Sequence, residues 1–125
     1  MKIEVGQRAS YERTFTAKDV EVFSELSGDK GEHHIRPDSQ GRMMAHGLLT
    51  ATVPTKLGGD MNYIARDMSY EFLRPVFIGD TVRAEGVITK VESGERHVKV
   101  AIDLACYNQH GKEVLRGKTK GIIRK

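Results

Sequence analysis

The sequence of 125 residues has no tryptophan, one cysteine and only three prolines. A single cysteine excludes an internal disulfide, which is typical of a reducing compartment. No apolar run approaches the roughly 18 residues that a membrane-spanning helix needs. The first ten residues, MKIEVGQRAS, lack the apolar centre of a signal peptide. We therefore expect one cytoplasmic domain over residues 1–125, with a hydrophobic core large enough to fold without disulfides.

A large excess of charge of one sign is also missing, since the formal net charge is only +3. No nucleic-acid-binding motif accompanies it, which disfavours nucleic acid as a partner. Basic residues concentrate near the end of the chain, at Arg116, Lys118, Lys120, Arg124 and Lys125. They are interpreted either as a solvated strand face or as a binding site for an anionic ligand such as a phosphorylated carrier.

What the sequence does contain is a polar, glycine-rich stretch from Ser27 to Leu49, SGDKGEHHIRPDSQGRMMAHGLL. Polar segments between scaffold elements commonly carry binding and catalytic groups. We expect a loop that runs to about Ala45, lies outside the core and forms a site. Its titratable residues are Asp29, Glu32, His33, His34, Asp38 and His46.

The segment before this loop has the apolar period of a helix. Thr16 and Asp19 have the spacing of a capping box, which predicts the helix start. Ser27-Gly28 predicts the helix end, because glycine readily takes the left-handed conformation. The apolar residues of this helix are Val20, Val22, Phe23 and Leu26.

The segment after the loop, GLLTATVPTKL, is apolar around most of a helical circumference from Gly47 to Leu57. This pattern predicts a buried helix. We expect a kink or an early end at Pro54, because proline removes a backbone hydrogen bond. Gly58-Gly59 is predicted to terminate the helix.

The remaining chain changes to the two-residue period of strands. Four strands are predicted here, at Met61 to Phe72, Thr81 to Glu92, His97 to Tyr107 and Glu113 to Ile123, and another at Arg8 to Phe15. The first of the four is expected to be irregular near Arg66-Asp67. A long antiparallel sheet wrapped around the buried helix is the economical α+β arrangement. The other face of the sheet and its edges would invite a second copy of the chain.

Three ordered motifs carry a resemblance to a known family: FTAKDVEVFSELSGD followed by a histidine, then AHGLL, then FLRPVFIGDTV. Together they resemble the MaoC-like family of (R)-specific enoyl-CoA hydratases and dehydratases, from about Phe15 to the last strand. The resemblance implies the hot-dog fold, an antiparallel sheet wrapped around a central helix, and a homodimer or higher homo-oligomer. It implies an acyl-CoA or acyl-carrier-protein thioester as substrate and no organic cofactor.

The family pattern also implies roles for individual residues. Asp29 and His34 have the spacing of the catalytic pair that activates water and protonates the α-carbon. The backbone N–H of Gly47, at the helix start, would hold the thioester oxygen, with His46 beside it. A helix start offers free N–H groups to a developing oxyanion.

Other interpretations of the same residues stay open. Glu32 and His33 are interpreted as exposed loop residues, with side chains of neighbouring residues pointing opposite ways in an extended segment. A metal site is not expected, because adjacent histidines lack the familiar zinc spacing. The motif also departs from the family pattern, with Gly31-Glu32 where Asn-Pro is usual.

Two rival functions follow. A hot-dog thioesterase is disfavoured, since Gly47 to Leu57 lacks the carboxylate that many such enzymes carry on the central helix. A non-catalytic acyl-CoA-binding module would explain the altered motif and the shortened span from His34 to His46.

Overall fold

The structure is a computed structural model that describes residues 3–125. Residues 1 and 2 lie outside the described residues. They belong to the proposed domain and begin the segment that was compared with a signal peptide. No helix within residues 3–125 has the length and apolar character needed to cross a membrane.

A five-stranded antiparallel sheet forms the body of the fold, in the order β1-β3-β4-β5-β2. The long strands begin and end within two residues of their predicted limits, and buried residues alternate most clearly along β3 and β4. The register of β2 against β5 shifts between Ala65 and Asp67, where an irregularity was predicted. The strands are β1 (Arg8–Thr14), β2 (Tyr63–Phe72), β3 (Thr81–Ser93), β4 (His97–Tyr107) and β5 (Glu113–Arg124).

Helix α1 (Ala17–Ser27) confirms both predicted ends. Thr16 accepts the N–H of Asp19 through its side chain, and Asp19 accepts the N–H of Thr16 in return. Gly28 ends the helix with φ of 77°. The expected apolar stripe is only partly buried, since Val22 and Leu26 are exposed while Val20 and Ser24 are buried. The buried stripe thus includes a serine.

The central helix exists but is divided into α3 (Gly47–Thr50) and α4 (Thr52–Asp60). The break falls at Ala51, one turn before Pro54, because the proline ring clashes with the carbonyl four residues earlier. Pro54 itself sits in the first turn of α4, where a missing N–H costs nothing.

Two details of the central helix differ from the expectation. The helix continues through Gly58-Gly59 to Asp60, and the chain turns at Asn62, which has φ of 56°. An ion pair from Lys56 to Asp60 at 2.7 Å links the last turn. Leu48 is 66% exposed, so the first turn is not buried on every side.

Helix α4 packs against β1, β2 and β3. Its buried face meets the inward residues of the sheet. The principal core residues of these layers are Val53, Leu57, Val82, Ala84, Ile88, Val100, Ile102, Leu104 and Cys106. The predicted α+β architecture, a sheet wrapped around a central helix, is therefore confirmed.

The prediction that the stretch from Ser27 to Ala45 is a loop outside the core was wrong in part. Four of its residues form a short helix, α2 (Glu32–Ile35). His34 and Ala45 are buried, as is the adjoining His46. His33 and His34 therefore point about 100° apart, as helical neighbours do, rather than in opposite directions. The burial of His34, Ala45 and His46 depends on contacts with distant segments, which local polarity does not reveal.

Candidate active site

The turn that ends α1 fixes the position of Asp29. Gly28 donates its N–H to the carbonyl of Ser24 at 2.9 Å, which closes the helix end. The hydroxyl of Ser27 accepts the N–H of Asp29 at 3.0 Å, and Oδ1 of Asp29 accepts the N–H of Gly31 at 3.2 Å. The carboxylate is consequently held by a local turn, with its second oxygen directed at His34.

Helix α2 presents the ring of His34 to that carboxylate. Nδ1 lies 2.8 Å from the carbonyl oxygen of Met44. A carbonyl only accepts hydrogen bonds, so Nδ1 carries a proton, and in the neutral tautomer of this ring the lone pair is on Nε2. Nε2 faces Oδ2 of Asp29 at 3.7 Å, with 5% of the His34 side chain exposed and 55% of the Asp29 side chain exposed. The predicted pair is thus brought together, one partner buried and the other accessible.

His46 lies beneath this pair, with only 2% of its surface exposed. Its Nε2 is 2.9 Å from the backbone carbonyl of Asp29 and 3.2 Å from the hydroxyl of Ser24. Its ring stacks on His34 with centroids 3.8 Å apart and planes at 21°. The ring does not cap α3. His46 therefore contacts both members of the pair without lining the pocket.

Gly47 is the first residue of α3 and borders an open pocket of about 540 Å³. The first N–H groups of a helix have no acceptor within the helix. The Phe72 ring lies beside this glycine, and an added Cβ at Gly47 would come within 3.0 Å of it. A side chain at residue 47 would therefore crowd the Phe72 ring at the edge of this pocket. Asp29, His33, His34 and Phe72 line the same pocket.

The remaining titratable residues of the polar stretch lie at its surface. Glu32 is exposed and faces Arg36 at 3.9 Å, and His33 is exposed with its ring 3.9 Å from that of His34. Asp38 accepts the N–H groups of Gln40 and Arg42 and orders the following turn. These hydrogen bonds, the one from Arg42 first, lower the pKa of Asp38.

A second cavity, of about 350 Å³, lies between α4 and the sheet. Its wall is mainly apolar and includes Leu57, Met68, Tyr63 and Tyr70. It is better enclosed than the pocket at Gly47, but it shares no lining residue with it. Because the facing acid and histidine lie in the open pocket, that pocket is the candidate active site.

Asp29, His34 and His46 each have a potential ligand atom within 4.8 Å of the others. An imidazole ligates zinc through a ring nitrogen at about 2 Å, along a lone pair in the ring plane. Two rings stacked nearly parallel direct their lone pairs side by side. The two histidines could not ligate one ion without rotating, and their present hydrogen bonds oppose that rotation. The arrangement thus favours hydrogen bonding over metal binding.

Several supporting groups were missed at the sequence level. Ser24 follows Val20 by one helical turn, so its place on the buried stripe could have been inferred from the spacing. The carbonyl of Met44 could not, because any residue has one. Phe72 comes from the far end of β2 and meets Gly47 only through the fold.

The comparisons with known proteins concern the chain as a whole. No family model matches the sequence. The chain is 33% identical over 98 residues to an (R)-specific enoyl-CoA hydratase of Aeromonas caviae, covering 70% of this chain and 72% of that protein. It is 30% identical over 124 residues to a 3-hydroxybutyryl-CoA dehydratase of Methylorubrum extorquens, covering 90% of this chain and 75% of that protein.

The fold is similar to that of a solved structure, the (R)-hydratase from A. caviae involved in PHA biosynthesis. The TM-score is 0.85 at 28% identity, over 95% of this chain and 96% of that chain. The similarity extends over nearly all of both chains, which confirms the predicted hot-dog fold.

Proposed function

This chain belongs to the MaoC-like family of (R)-specific enoyl-CoA hydratases and dehydratases, and from that premise we propose that it reversibly adds water to a trans-2-enoyl-CoA, giving the (R)-3-hydroxyacyl-CoA. The observation that carries the proposal is the separation of 3.7 Å between Nε2 of His34 and Oδ2 of Asp29, beside the N–H of Gly47 in one pocket.

The pair can hold the reacting water. A separation of 3.7 Å is too long for a direct hydrogen bond, but it lets one water bond to both atoms. The neutral His34 ring has no proton on Nε2, and an ionised Asp29 is an acceptor, so the pair can take one proton from the water. The hydroxide adds to the β-carbon, and the electrons of the double bond move toward the thioester carbonyl.

The negative charge that develops on the thioester oxygen needs a donor. We assign this role to the N–H of Gly47, a residue that lines the pocket and whose N–H has no acceptor within its helix. Such a donor stabilises the enolate more than the ground-state carbonyl. The proton held by the Asp29–His34 pair then returns to the α-carbon, which completes addition of water and restores the pair.

The mechanism uses no metal or organic cofactor. Its substrate would be a thioester of CoA or of acyl carrier protein. We further propose that the chain acts as a homodimer or higher homo-oligomer through the edge of its sheet. Within residues 3–125, strand β2 pairs in the sheet only with β5, which leaves its other edge unpaired, and it carries exposed Ile64, Met68 and Phe72. An exposed apolar edge is a place where another strand can pair.

Crotonyl-CoA hydration tests the proposal, followed as loss of the conjugated enoyl absorbance. The parent protein should consume the substrate, while folded Asp29→Asn and His34→Ala should lose activity by about 100-fold or more. Glu32→Gln serves as a control, since that side chain is exposed. Activity that survives both substitutions would place the reaction elsewhere.

The same assay separates the rival functions. Release of free thiol without hydration would establish a thioesterase. Saturable binding of crotonyl-CoA and longer enoyl-CoAs with no product would establish a binding module. Either result would overturn the proposal.

A further inference from the structure

His46 is a buried titratable residue that the mechanism above does not use. Its ring touches neither the pocket nor solvent, yet its contacts reach both members of the proposed pair. The hydrogen bond to Asp29 goes to the backbone carbonyl rather than to the carboxylate. The contact with His34 is a stacked ring rather than a hydrogen bond. Neither contact competes with the proposed reaction.

The hydrogen bonds determine which nitrogen of His46 holds the proton. The carbonyl of Asp29 can only accept, so Nε2 must donate. Nδ1 is buried and has no hydrogen-bond partner within residues 3–125. The hydrogen bond to the carbonyl therefore places a proton on Nε2. The N–H at Nε2 is therefore the group through which this ring holds the backbone of Asp29.

We propose that His46 is a positioning residue that sets the separation of Asp29 and His34. In the turn around Asp29, its carboxylate accepts the N–H of Gly31, and its own N–H donates to the hydroxyl of Ser27. The bond from His46 secures its carbonyl, the remaining polar group of that residue. The same ring supports the face of His34, whose Nδ1 is held by Met44. A shift of His46 moves both partners, so the space for the water depends on it.

The contacts around His46 distinguish this role from simple packing. Phe23 also packs on the ring, with centroids 4.8 Å apart, but it does not line the pocket that holds Asp29 and His34. The hydroxyl of Ser24 also contacts Nε2 of His46, but at 3.2 Å it lies farther away than the carbonyl of Asp29. The donor to Asp29 is thus the contact whose loss should affect catalysis, whereas the contact with Phe23 should affect stability alone.

Two amide substitutions test the donor. His46→Gln places an amide nitrogen near the position of Nε2 and can keep the bond to Asp29. His46→Asn places its amide near Nδ1 and cannot. We expect His46→Asn to lower kcat at least 30-fold with KM changed less than threefold, and His46→Gln to remain within fivefold of the parent. Phe23→Leu should lower the melting temperature while kcat stays within threefold.

This inference rests on the proposed function, so a second measurement is independent of activity. Imidazole ¹⁵N spectra report whether the His34 proton stays on Nδ1. We expect the parent and His46→Gln to share the Nδ1-protonated signal, and His46→Asn to show an averaged or broadened signal.

The outcomes separate the two ideas. A parent that hydrates no enoyl-CoA but shows the expected spectra would overturn the proposed function and leave the positioning role supported. Equal kcat in His46→Asn and His46→Gln, or activity that simply follows melting temperature across the variants, would overturn the positioning role. So would a His34 spectrum that is unchanged in His46→Asn.

Discussion

Nε2 of His34 and Oδ2 of Asp29 face each other at 3.7 Å, a separation that leaves room for one water to bond to both. The two residues are only five positions apart in the sequence, but different hydrogen bonds hold them in place. The carboxylate depends on the turn after α1, and the ring depends on the carbonyl of Met44. The distance between them is therefore a property of two segments rather than of one loop.

Lengthening the acid by one methylene tests whether that distance matters. In Asp29→Glu both ionisable groups remain, but the longer side chain can reach His34 directly and displace the water. We expect kcat to fall about 100-fold, because a misplacement of about 1 Å can cost that much. Crotonyl-CoA kinetics measure it, with the exposed Glu32→Asp as the control. Asp29→Glu activity within threefold of the parent would show that the separation is unimportant.

Adding a methyl group at Gly47 tests the oxyanion donor. A Cβ there would lie 3.0 Å from the Phe72 ring and obstruct access to the backbone N–H. We expect Gly47→Ala to lower kcat/KM by about 100-fold, in the range for loss of one oxyanion donor.

Gly59→Ala is the matched control for a helical glycine, because its added Cβ would meet nothing within 4 Å. It should raise stability by about 1 kcal/mol, as the helix scale indicates. Urea unfolding and enoyl-CoA kinetics of both variants measure these effects. Full activity in Gly47→Ala would refute the assigned donor.

Charge on the free edge of β2 tests the proposed self-association. Ile64→Lys combined with Met68→Lys places two cations on exposed apolar positions of that edge. We expect the parent to sediment at twice the 14.0 kDa chain mass or more, and the double variant to approach the monomer mass. Leu26→Lys, an exposed leucine on α1, should leave the assembly unchanged. A monomeric parent, or a double variant that stays assembled, would contradict the edge interface.

Cys106 predicts a pH dependence of stability. Burial, with a smaller contribution from Glu113, raises the pKa of this thiol to about 12 from its usual 9.0. Both states hold the proton below pH 9, whereas between pH 9 and 12 only the folded state holds it. Stability should therefore fall as pH rises through that window, by up to about 1.4 kcal/mol per pH unit.

Urea unfolding at pH 8 and pH 10 measures this fall, and Cys106→Ala should reduce it. Native protein at pH 8 should also resist thiol alkylation, since the thiolate fraction is about one in ten thousand, while urea-unfolded protein should react. Fast alkylation of the folded protein would contradict the buried environment.

Much of the fold could be predicted from local pattern. Thr16 and Asp19 fix the start of α1 through a reciprocal hydrogen bond between near neighbours, and Gly28 ends it by a conformation that suits glycine. The limits of β4 were predicted to the residue, because its alternation is regular. The pairing of Asp29 with His34 was also predicted, from a motif within eight residues of α1.

Other features required the tertiary structure. Leu48 has an apolar side chain but is exposed, and His46 is polar but almost completely buried. Their local sequence does not say which face of the fold each meets. Likewise, β2 precedes β3 in the chain but pairs with β5 at the far side of the sheet.

By itself, then, the sequence determined the elements whose causes are local: caps, turns, alternating strands and the five-residue step from Asp29 to His34. The tertiary structure decided what surrounds them. His46 meets Asp29 and Ser24 across 17 and 22 positions of the chain. Such contacts depend on how the end of α1, the short helix α2 and the start of α3 pack together. That packing gives most buried polar groups a hydrogen-bond partner from elsewhere in the fold, which no local stretch of sequence specifies.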